Sequence, residues 1–562
     1  MGCPALFTLV LSRCCSQQAS RAACRAQRPF KAGTEGIAGL RVQVSVAIAE
    51  RDAPRQERED ARVIVARAEG EVGALQEAIA DTRRPPLAGA SKGIMTSVLA
   101  SQATTERWTA RQTLAWITIA TLALTLVAVF NGYPLVFPDS GTYIRHAVKL
   151  EGVLDRPPFY SLFILPLHMT LSLWPIPFVQ NELTCYIIFR SFSIAFPQIS
   201  LPRLTVAIVL AGGLTSLPWF SNQIMPDIFT PLILLLVFML CLGRDELTRL
   251  ELIVMPLMLL IMITFHQAST AFAVLLLGPA LLLAWQRGME RRELVRSTLL
   301  VVVPIALAIL GQALYGYAVI KRFTPSPFGP MFALARLLDD GPARRYLAQA
   351  CPDVGYTLCR YQDAIHDDNN ILLWSAHSPL QALVHEKGET GAIDEASAIV
   401  AGTLRAFPGT VLLQAAKKTI VQLVSNETFI SDCPCFSGKI IRVITEIFPN
   451  ERATYGASMQ NRDEIPWSII ATLDTIIIWI SISFITLLAI FQRSLLRADS
   501  WRLLILIGWG CIANAALMGV LSGVSHRYGS RIIWLVPLFA ITIFLARRNT
   551  FCCSRLVAKT VN

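Results

Sequence analysis

Two short acidic segments could carry out chemistry in this chain. Residues 137–143 read Phe-Pro-Asp-Ser-Gly-Thr-Tyr and follow the first apolar stretch of membrane length, and residues 223–227 read Gln-Ile-Met-Pro-Asp and precede another apolar stretch. Carboxylates at the mouths of membrane spans are costly unless they are solvated or used. Asp139 and Asp227 are therefore the candidate catalytic residues, with Asp139 as a general base acting on a lipid-borne substrate and Asp227 orienting the substrate.

Asp139 also has a structural interpretation. Its Pro-Asp-Ser-Gly surroundings fit the N-cap of a short helix that starts near Gly141. Taken by itself, the residue favours the cap. The functional interpretation gains from Asp227, which the predicted topology places on the same side of the membrane.

Two arginines near the last apolar stretch could bind an anion. Arg527 and Arg531 stand four residues apart, so they share one face of a helix, and Tyr528 lies beside them. At the outer end of a span they oppose the usual bias of cations toward the cytoplasm, and an outer-leaflet anion would explain them. The alternative is an interfacial pair whose stems cover apolar surface.

Other cationic and aromatic side chains extend the set of candidate substrate-binding residues. Tyr143 closes the first acidic segment, and Arg156 follows it by 13 residues. Residues 410–424 show helical amphipathic periodicity, and Lys417 and Lys418 on this helix would carry cations to lipid headgroups.

His266 is the weak candidate for a metal ligand. It follows Phe265 at an otherwise apolar junction, where a packed, hydrogen-bonded histidine is favoured over a ligand. No second His or Cys lies at ligand spacing, so no metal site is assigned. A divalent metal stays open as a cofactor. The sequence has no Walker loop, dinucleotide glycine fingerprint or Gly-x-Ser-x-Gly elbow.

The elements that must position these residues are membrane helices. The chain is 54% hydrophobic and only 16% charged over 562 residues, far from the usage of soluble proteins. Uncharged runs of about 20 residues suit a bilayer, and they lack the alternation of barrel strands. The net charge of +11 comes from Lys and Arg in short loops between these runs, so it indicates orientation in the membrane, not a nucleic-acid partner.

The pattern predicts an all-α polytopic protein with about ten spans, outer-face surface helices and one soluble outer region. Residues 159–174 are short and rich in proline, so they favour surface or re-entrant helices. If that segment does not cross the membrane, the charge pattern places several polar groups on the outer face: both aspartates, His266, residues 321–466 and residues 525–528. The predicted spans are 113–132, 178–196, 202–221, 228–243, 251–266, 267–286, 298–319, 467–490, 502–522 and 531–546.

Four regions follow from this layout. Residues 1–94 form an extension to which no fold is assigned, and translation that starts at Met95 is an alternative to its presence. Residues 95–320 form an N-terminal transmembrane module with the acidic loops. Residues 321–466 form the extracytoplasmic region, where Cys351 or Cys359 is expected to pair with Cys433 or Cys435 in an oxidising compartment. The C-terminal region, 467–562, holds the last spans and a cytoplasmic tail.

The chain resembles the integral-membrane glycosyltransferases of the GT-C superfamily, which includes the protein O-mannosyltransferases and the lipid A aminoarabinose transferase. The match is one of layout over residues 113–320. Residues 137–143 fit the family's first outer loop with its catalytic Asp, residues 223–227 fit the second acidic loop, and Arg156-Pro-Pro-Phe-Tyr160 fits the turn between them. The turn has Arg156 where many relatives have His, so neither sugar nor acceptor carries over.

The resemblance implies an inverting transferase that moves a sugar from a polyprenyl-phosphate donor to a lipid, glycan or protein acceptor. The expected setting is the outer face of a bacterial inner membrane, with membrane lipid as a partner. A transporter or flippase of a lipid-linked or anionic solute is the alternative, with the outer acidic residues as a gate. A third interpretation is an assembly protein that holds partners through the outer region.

Overall fold

A computed structural model describes residues 109–150, 152–428, 434–492 and 497–546 of the chain. Within these ranges the protein is helical and has no β-sheet; one isolated bridge joins Leu135 to Gln223. The prediction of an all-α protein is therefore confirmed. The predictions for residues 1–94 fall outside the described residues.

The first half of the described chain consists of helices joined by short connections. In chain order they are α1 (Ala110–Asn131), α2 (Pro138–Lys149), α3 (Phe159–His168), α4 (Pro175–Ala195), α5 (Leu201–Leu214), α6 (Leu217–Ser221), α7 (Phe229–Leu242), α8 (Glu251–Thr264), α9 (Gln267–Gln286) and α10 (Arg291–Ile320). A 3₁₀ turn, Pro226–Ile228, leads directly into α7. The second acidic segment thus ends at the start of a helix.

The second half has shorter helices before its spans. They are α11 (Gly329–Asp339), α12 (Pro342–Val354), α13 (Asn369–Trp374), α14 (Pro379–Ala406), α15 (Pro408–Val424), α16 (Pro434–Ile447), α17 (Arg452–Gly456), α18 (Trp467–Phe491), α19 (Ala498–Leu521) and α20 (His526–Ile533). After a turn at Trp534, the helical path of α20 continues to Ala546.

Six helices are long and apolar enough to cross a membrane: α1, α9, α10, α18, α19 and the segment His526–Ala546. The protein is therefore a multi-pass membrane protein. The bent pair Asn369–Ala406 and Pro408–Val424 would raise the number to seven if it is one broken span. Three helices at predicted spans, α5, α7 and α8, have 14 residues each and reach only about 21 Å at 1.5 Å per residue.

The span α1 shows how local sequence sets the ends of these helices. The Thr109 hydroxyl accepts a hydrogen bond from the Gln112 N–H at 3.2 Å, and the Gln112 side chain accepts from the Thr109 N–H at 2.9 Å. At the other end, Gly132 has a φ of 80° and closes the helix in the left-handed conformation, which favours glycine. The chain leaves α1 directly toward the first acidic segment.

The core of the helical bundle is α7. Every one of its residues is buried, and it packs against α4, α8, α9, α10 and α19. A helix that is apolar on all sides must be covered on all sides. The same bundle positions the turn Pro226–Ile228, and with it Asp227, at one end of its most buried helix.

Residues 320–399 have their own apolar core, formed mainly by leucines of α11, α13 and α14. The prediction that Cys351 or Cys359 pairs with Cys433 or Cys435 is wrong, because Cys351 and Cys359 form a disulfide with each other. Helix α12 ends at Val354, and its C-cap Gly355, with a φ of 65°, reverses the chain and returns Cys359 to Cys351.

The predicted amphipathic helix at 410–424 corresponds to α15. It packs closely on the span α19, because a Cβ added to Gly519 would meet the backbone carbonyl of Lys418 at 2.9 Å. Beyond that contact, the buried Gln422 side chain donates to the Ser525 carbonyl and accepts from the Ser525 N–H, both at 2.9 Å. Helix α15 therefore holds the residue that immediately precedes α20.

Candidate functional site

The two acidic segments lie side by side. The Ile224 N–H donates to the Leu135 carbonyl at 2.9 Å, and the Ser140 hydroxyl donates to the Ile224 carbonyl at 2.8 Å. Ile224 lies three residues before Asp227, Leu135 lies four residues before Asp139, and Ser140 directly follows Asp139, so these bonds bring the two acidic loops together. The pairing depends on residues about 85 positions apart in sequence.

Asp139 lies inside a helix and does not cap one. Helix α2 begins at Pro138, with Phe137 as its N-cap, so the predicted start near Gly141 is wrong. Proline suits the first helical position because that N–H has no helical partner. The Asp139 carboxylate instead accepts a hydrogen bond from Nη2 of Arg156 at 2.6 Å, and it is about a quarter exposed.

Arg156 is the centre of the first half of the site. Its Nη1 lies 3.0 Å from a carboxylate oxygen of Asp155, and its guanidinium lies 5.8 Å from the ring centre of Tyr143 and 5.9 Å from that of Trp374. Burial raises the pKa of Asp155, and the charge of Arg156 opposes that rise. Arg156 therefore pairs with two carboxylates and lies near two aromatic rings.

Asp227 forms the second half with the predicted arginine pair. Its Oδ2 lies 2.5 Å from Nη2 of Arg527, and its Oδ1 lies 3.1 Å from Nη1 of Arg531. Arg531 also donates to Oδ1 of Asn514 from Nε at 3.2 Å and from Nη2 at 2.7 Å. Asn514 in turn donates to the Tyr528 carbonyl at 2.7 Å, which fixes the orientation of the first turn of α20.

Arg527 joins the two halves of the site. Its guanidinium stacks 3.9 Å from the ring centre of Phe137, two residues before Asp139, and it also lies 5.7 Å from the ring of Tyr528. Its Nε is buried and has no hydrogen-bond partner among the residues that the structure describes. A buried donor without a partner is costly, so an acceptor supplied by a ligand would be favourable there.

The phenol of Tyr143 interacts electrostatically with charged groups in both halves of the site. Burial raises the pKa of its phenol, Arg156 opposes that rise, and the carboxylates of Asp139, Asp227 and Asp155 add to it. The phenol is therefore protonated at neutral pH and keeps a hydrogen that it can donate.

The other predicted residues have separate roles. His266 caps α9, where its Nδ1 accepts from the Ala268 N–H at 3.1 Å. Over the described ranges, no group of three or more His, Cys, Asp or Glu side chains is arranged to hold a metal ion. The ammonium of Lys418 pairs with Asp340 at 3.6 Å in a cluster around Arg336, and Lys417 is exposed.

The site includes residues that the sequence analysis did not select. Asp155 and Trp374 complete the surroundings of Arg156, and Asn514 orients Arg531. Asn514 could have been found as a polar side chain within an otherwise apolar span, since such residues are usually functional or paired. Nothing in the local sequence of Trp374 indicates its proximity to Arg156, because 218 positions separate them.

Together, the fold and site define a multi-pass helical membrane protein with three carboxylates and three guanidiniums gathered at paired loops. No family model matches the chain, and neither a curated protein nor a solved structure is significantly similar to it. The arguments for its function therefore come from its own residues.

Proposed function

We propose that the protein is a membrane glycosyltransferase that moves a sugar from a polyprenyl-phosphate donor to a lipid, glycan or protein acceptor. The observation that carries this proposal is the meeting of the ion pairs Asp139–Arg156 and Asp227–Arg527–Arg531 at two paired loops. Such a group supplies both a base for an acceptor hydroxyl and cations for a lipid phosphate. The resemblance to the GT-C layout supports the same reaction, at the outer face of a bacterial inner membrane.

Arg527, the more exposed of the two α20 arginines, is assigned to the phosphate, and the buried Arg531 helps to neutralise Asp227 beside it. Asp227 is nearly fully buried and engages one Nη atom of each arginine, so it serves to orient them and is poorly placed to meet a substrate. The unpartnered Nε of Arg527 offers a phosphate oxygen a charge-assisted hydrogen bond. Negative charge grows on the departing lipid phosphate, and fixed guanidiniums would stabilise it.

Asp139 is assigned to the base. It is the more exposed of the two predicted catalytic carboxylates, and its bond to Arg156 fixes one oxygen and leaves the other to accept a proton. The acceptor hydroxyl transfers its proton to Asp139 as its oxygen bonds to the anomeric carbon. The bond from that carbon to the phosphate oxygen breaks, and the lipid phosphate leaves with the electron pair. The configuration of the anomeric centre is thereby inverted.

The test is transfer by the full chain in nanodiscs supplied with radiolabelled polyprenyl-phosphate sugars and candidate acceptors. Asp139→Asn should lower turnover by about 10²- to 10⁴-fold, the range for loss of a general base. Asp363→Asn is the matched control, because Asp363 is an exposed carboxylate in the 3₁₀ helix Thr357–Ala364, outside the site. Turnover that survives in Asp139→Asn would refute the assignment of the base.

Phosphate binding is tested separately with polyprenyl phosphate that carries no sugar. Arg527→Gln should weaken its binding, whereas the exposed Arg345→Gln should not. A folded wild-type protein that binds no lipid phosphate would contradict the transferase. Passage of an intact lipid-linked sugar across proteoliposomes, without transfer or hydrolysis, would support a transporter instead.

A further inference from the structure

The short helix α13 connects the two halves of the charged site. At its start, the Asn369 amide donates to the Ser522 carbonyl, which lies between the span α19 and α20. At its end, Trp374 lies 5.9 Å from the guanidinium of Arg156. The Asp368 side chain caps the helix by accepting from the Asn370 N–H at 2.7 Å. Both ends of α13 are thus fixed beside the site.

Trp374 differs in its exposure from Tyr143, the other aromatic residue described beside Arg156. Trp374 is 45% exposed, whereas Tyr143 is 1% exposed. The indole ring is nevertheless held in place, because the edge of Phe332 packs against it with ring centres 6.2 Å apart. Because this half-exposed indole is already fixed beside Arg156, little side-chain entropy is lost when a ligand binds against it.

We propose that Trp374 is the surface on which the glycosyl ring of the lipid-linked donor stacks. A pyranose presents an apolar face of C–H groups and a rim of hydroxyls. The indole covers the face, and Asp155 and Arg156 meet the rim, as in sites that combine apolar walls with a few fixed polar groups. The inference rests on the proposed function, since Arg527 of α20 would hold the phosphate of the same donor.

The position of α13 agrees with this division. Asn369 contacts the connection that leads into α20, where Arg527 and Arg531 reside, and Trp374 contacts Arg156 at the other half. One short helix thus contacts both the connection that leads into α20 and the arginine beside which the sugar would stack.

The experiment measures the affinity of the full chain in nanodiscs for two probes, polyprenyl phosphate and the same lipid carrying one hexose. The wild type should bind the glycosylated lipid more tightly by roughly 3- to 10-fold, the size of one aromatic stacking contact. Trp374→Ala should abolish that advantage and leave the affinity for bare polyprenyl phosphate unchanged. Trp374→Phe should retain part of it.

Trp285→Ala is the matched control, because this tryptophan is 66% exposed near the far end of the span α9. It should keep the full advantage of the glycosylated lipid. The proposal is overturned if Trp374→Ala keeps the advantage, or if it weakens both lipids equally, as a folding defect would. Wild type that binds bare polyprenyl phosphate but gains nothing from the hexose overturns the sugar platform alone. Wild type that binds neither lipid overturns both the platform and the proposed function.

Discussion

The buried ion pair between Asp227 and Arg531 provides the sharpest test of the site's physical basis. Both side chains are at most 4% exposed, and their closest oxygen and nitrogen atoms are 3.1 Å apart. Arg531→Met would leave the Asp227 carboxylate with Arg527 as its remaining cation, and it would also remove both donors from Oδ1 of Asn514. Removing one partner of a buried pair usually costs about 3–5 kcal/mol.

We expect the lower end of that range, about 3 kcal/mol, because Arg527 continues to neutralise Asp227. Asp227→Asn should cost a similar amount, since it leaves two buried guanidiniums facing an amide. The double variant should lose less stability than the sum of the two single variants, because it removes both charges of the pair and leaves neither of them unpaired. The resulting coupling energy should be about 2 kcal/mol.

The assay is a double-mutant cycle on the free energy of unfolding of the full chain in detergent micelles, followed by circular dichroism. The reference cycle uses Arg462 and Glu464, a pair at 2.7 Å whose side chains are each about half exposed. Exposed pairs contribute little, so its coupling should stay below about 0.5 kcal/mol. Coupling between Asp227 and Arg531 no larger than in the reference pair would refute the view that this contact is a desolvated ion pair.

Three further predictions concern residues outside the charged site. Burial lowers the pKa of His168 to about 4, below the 6.5 of an exposed histidine. As the pH falls, the unfolded state therefore binds a proton before the folded state does, and the free energy of unfolding should fall by roughly 1–2 kcal/mol from pH 7 to pH 5. His168→Gln should flatten a plot of melting temperature against pH, and an unchanged slope would contradict this. Reduction of the disulfide between Cys351 and Cys359 should destabilise the apolar core of residues 320–399 by about 2 kcal/mol, because a short loop gains entropy in the unfolded state, and amide exchange there should become faster. A Cys351→Ser variant should exchange equally fast with and without reductant. Gln422→Ala removes two hydrogen bonds to the Ser525 backbone and should lower the free energy of unfolding by about 1–3 kcal/mol, measured by thermal unfolding. A change below about 0.5 kcal/mol would argue against a stabilising role for these two hydrogen bonds.

The membrane character of the protein could be predicted because it depends on local composition. A helix that crosses a bilayer must satisfy its backbone internally and present apolar side chains, and a run of about 20 such residues is visible in the sequence. Six of the ten predicted spans have helices of sufficient length and hydropathy. The 14-residue helix α7 lies at the predicted span 228–243, where an apolar run of that length fits a buried core helix as well as a span.

Parts of the site could also be predicted from sequence. Arg527 and Arg531 are four residues apart, so their common helical face follows from helix geometry alone. The partners of Arg156 did not follow, since Trp374 reaches it through the packing of α13. The predicted cap at Asp139 was wrong because Pro138 moved the start of α2 forward and left the carboxylate free to pair with Arg156.

The sequence by itself determined that this is an all-α, multi-pass membrane protein and that Asp139, Asp227 and the α20 arginines are its notable charges. These properties follow from composition, spacing and helical period, which act over a few residues. Only the tertiary structure decided that Asp227 pairs with arginines 300 and 304 positions away, because such a contact depends on how long helices pack. The low dielectric of that packed interior makes an unpaired charge costly, and it turns separate acidic and basic residues into one site.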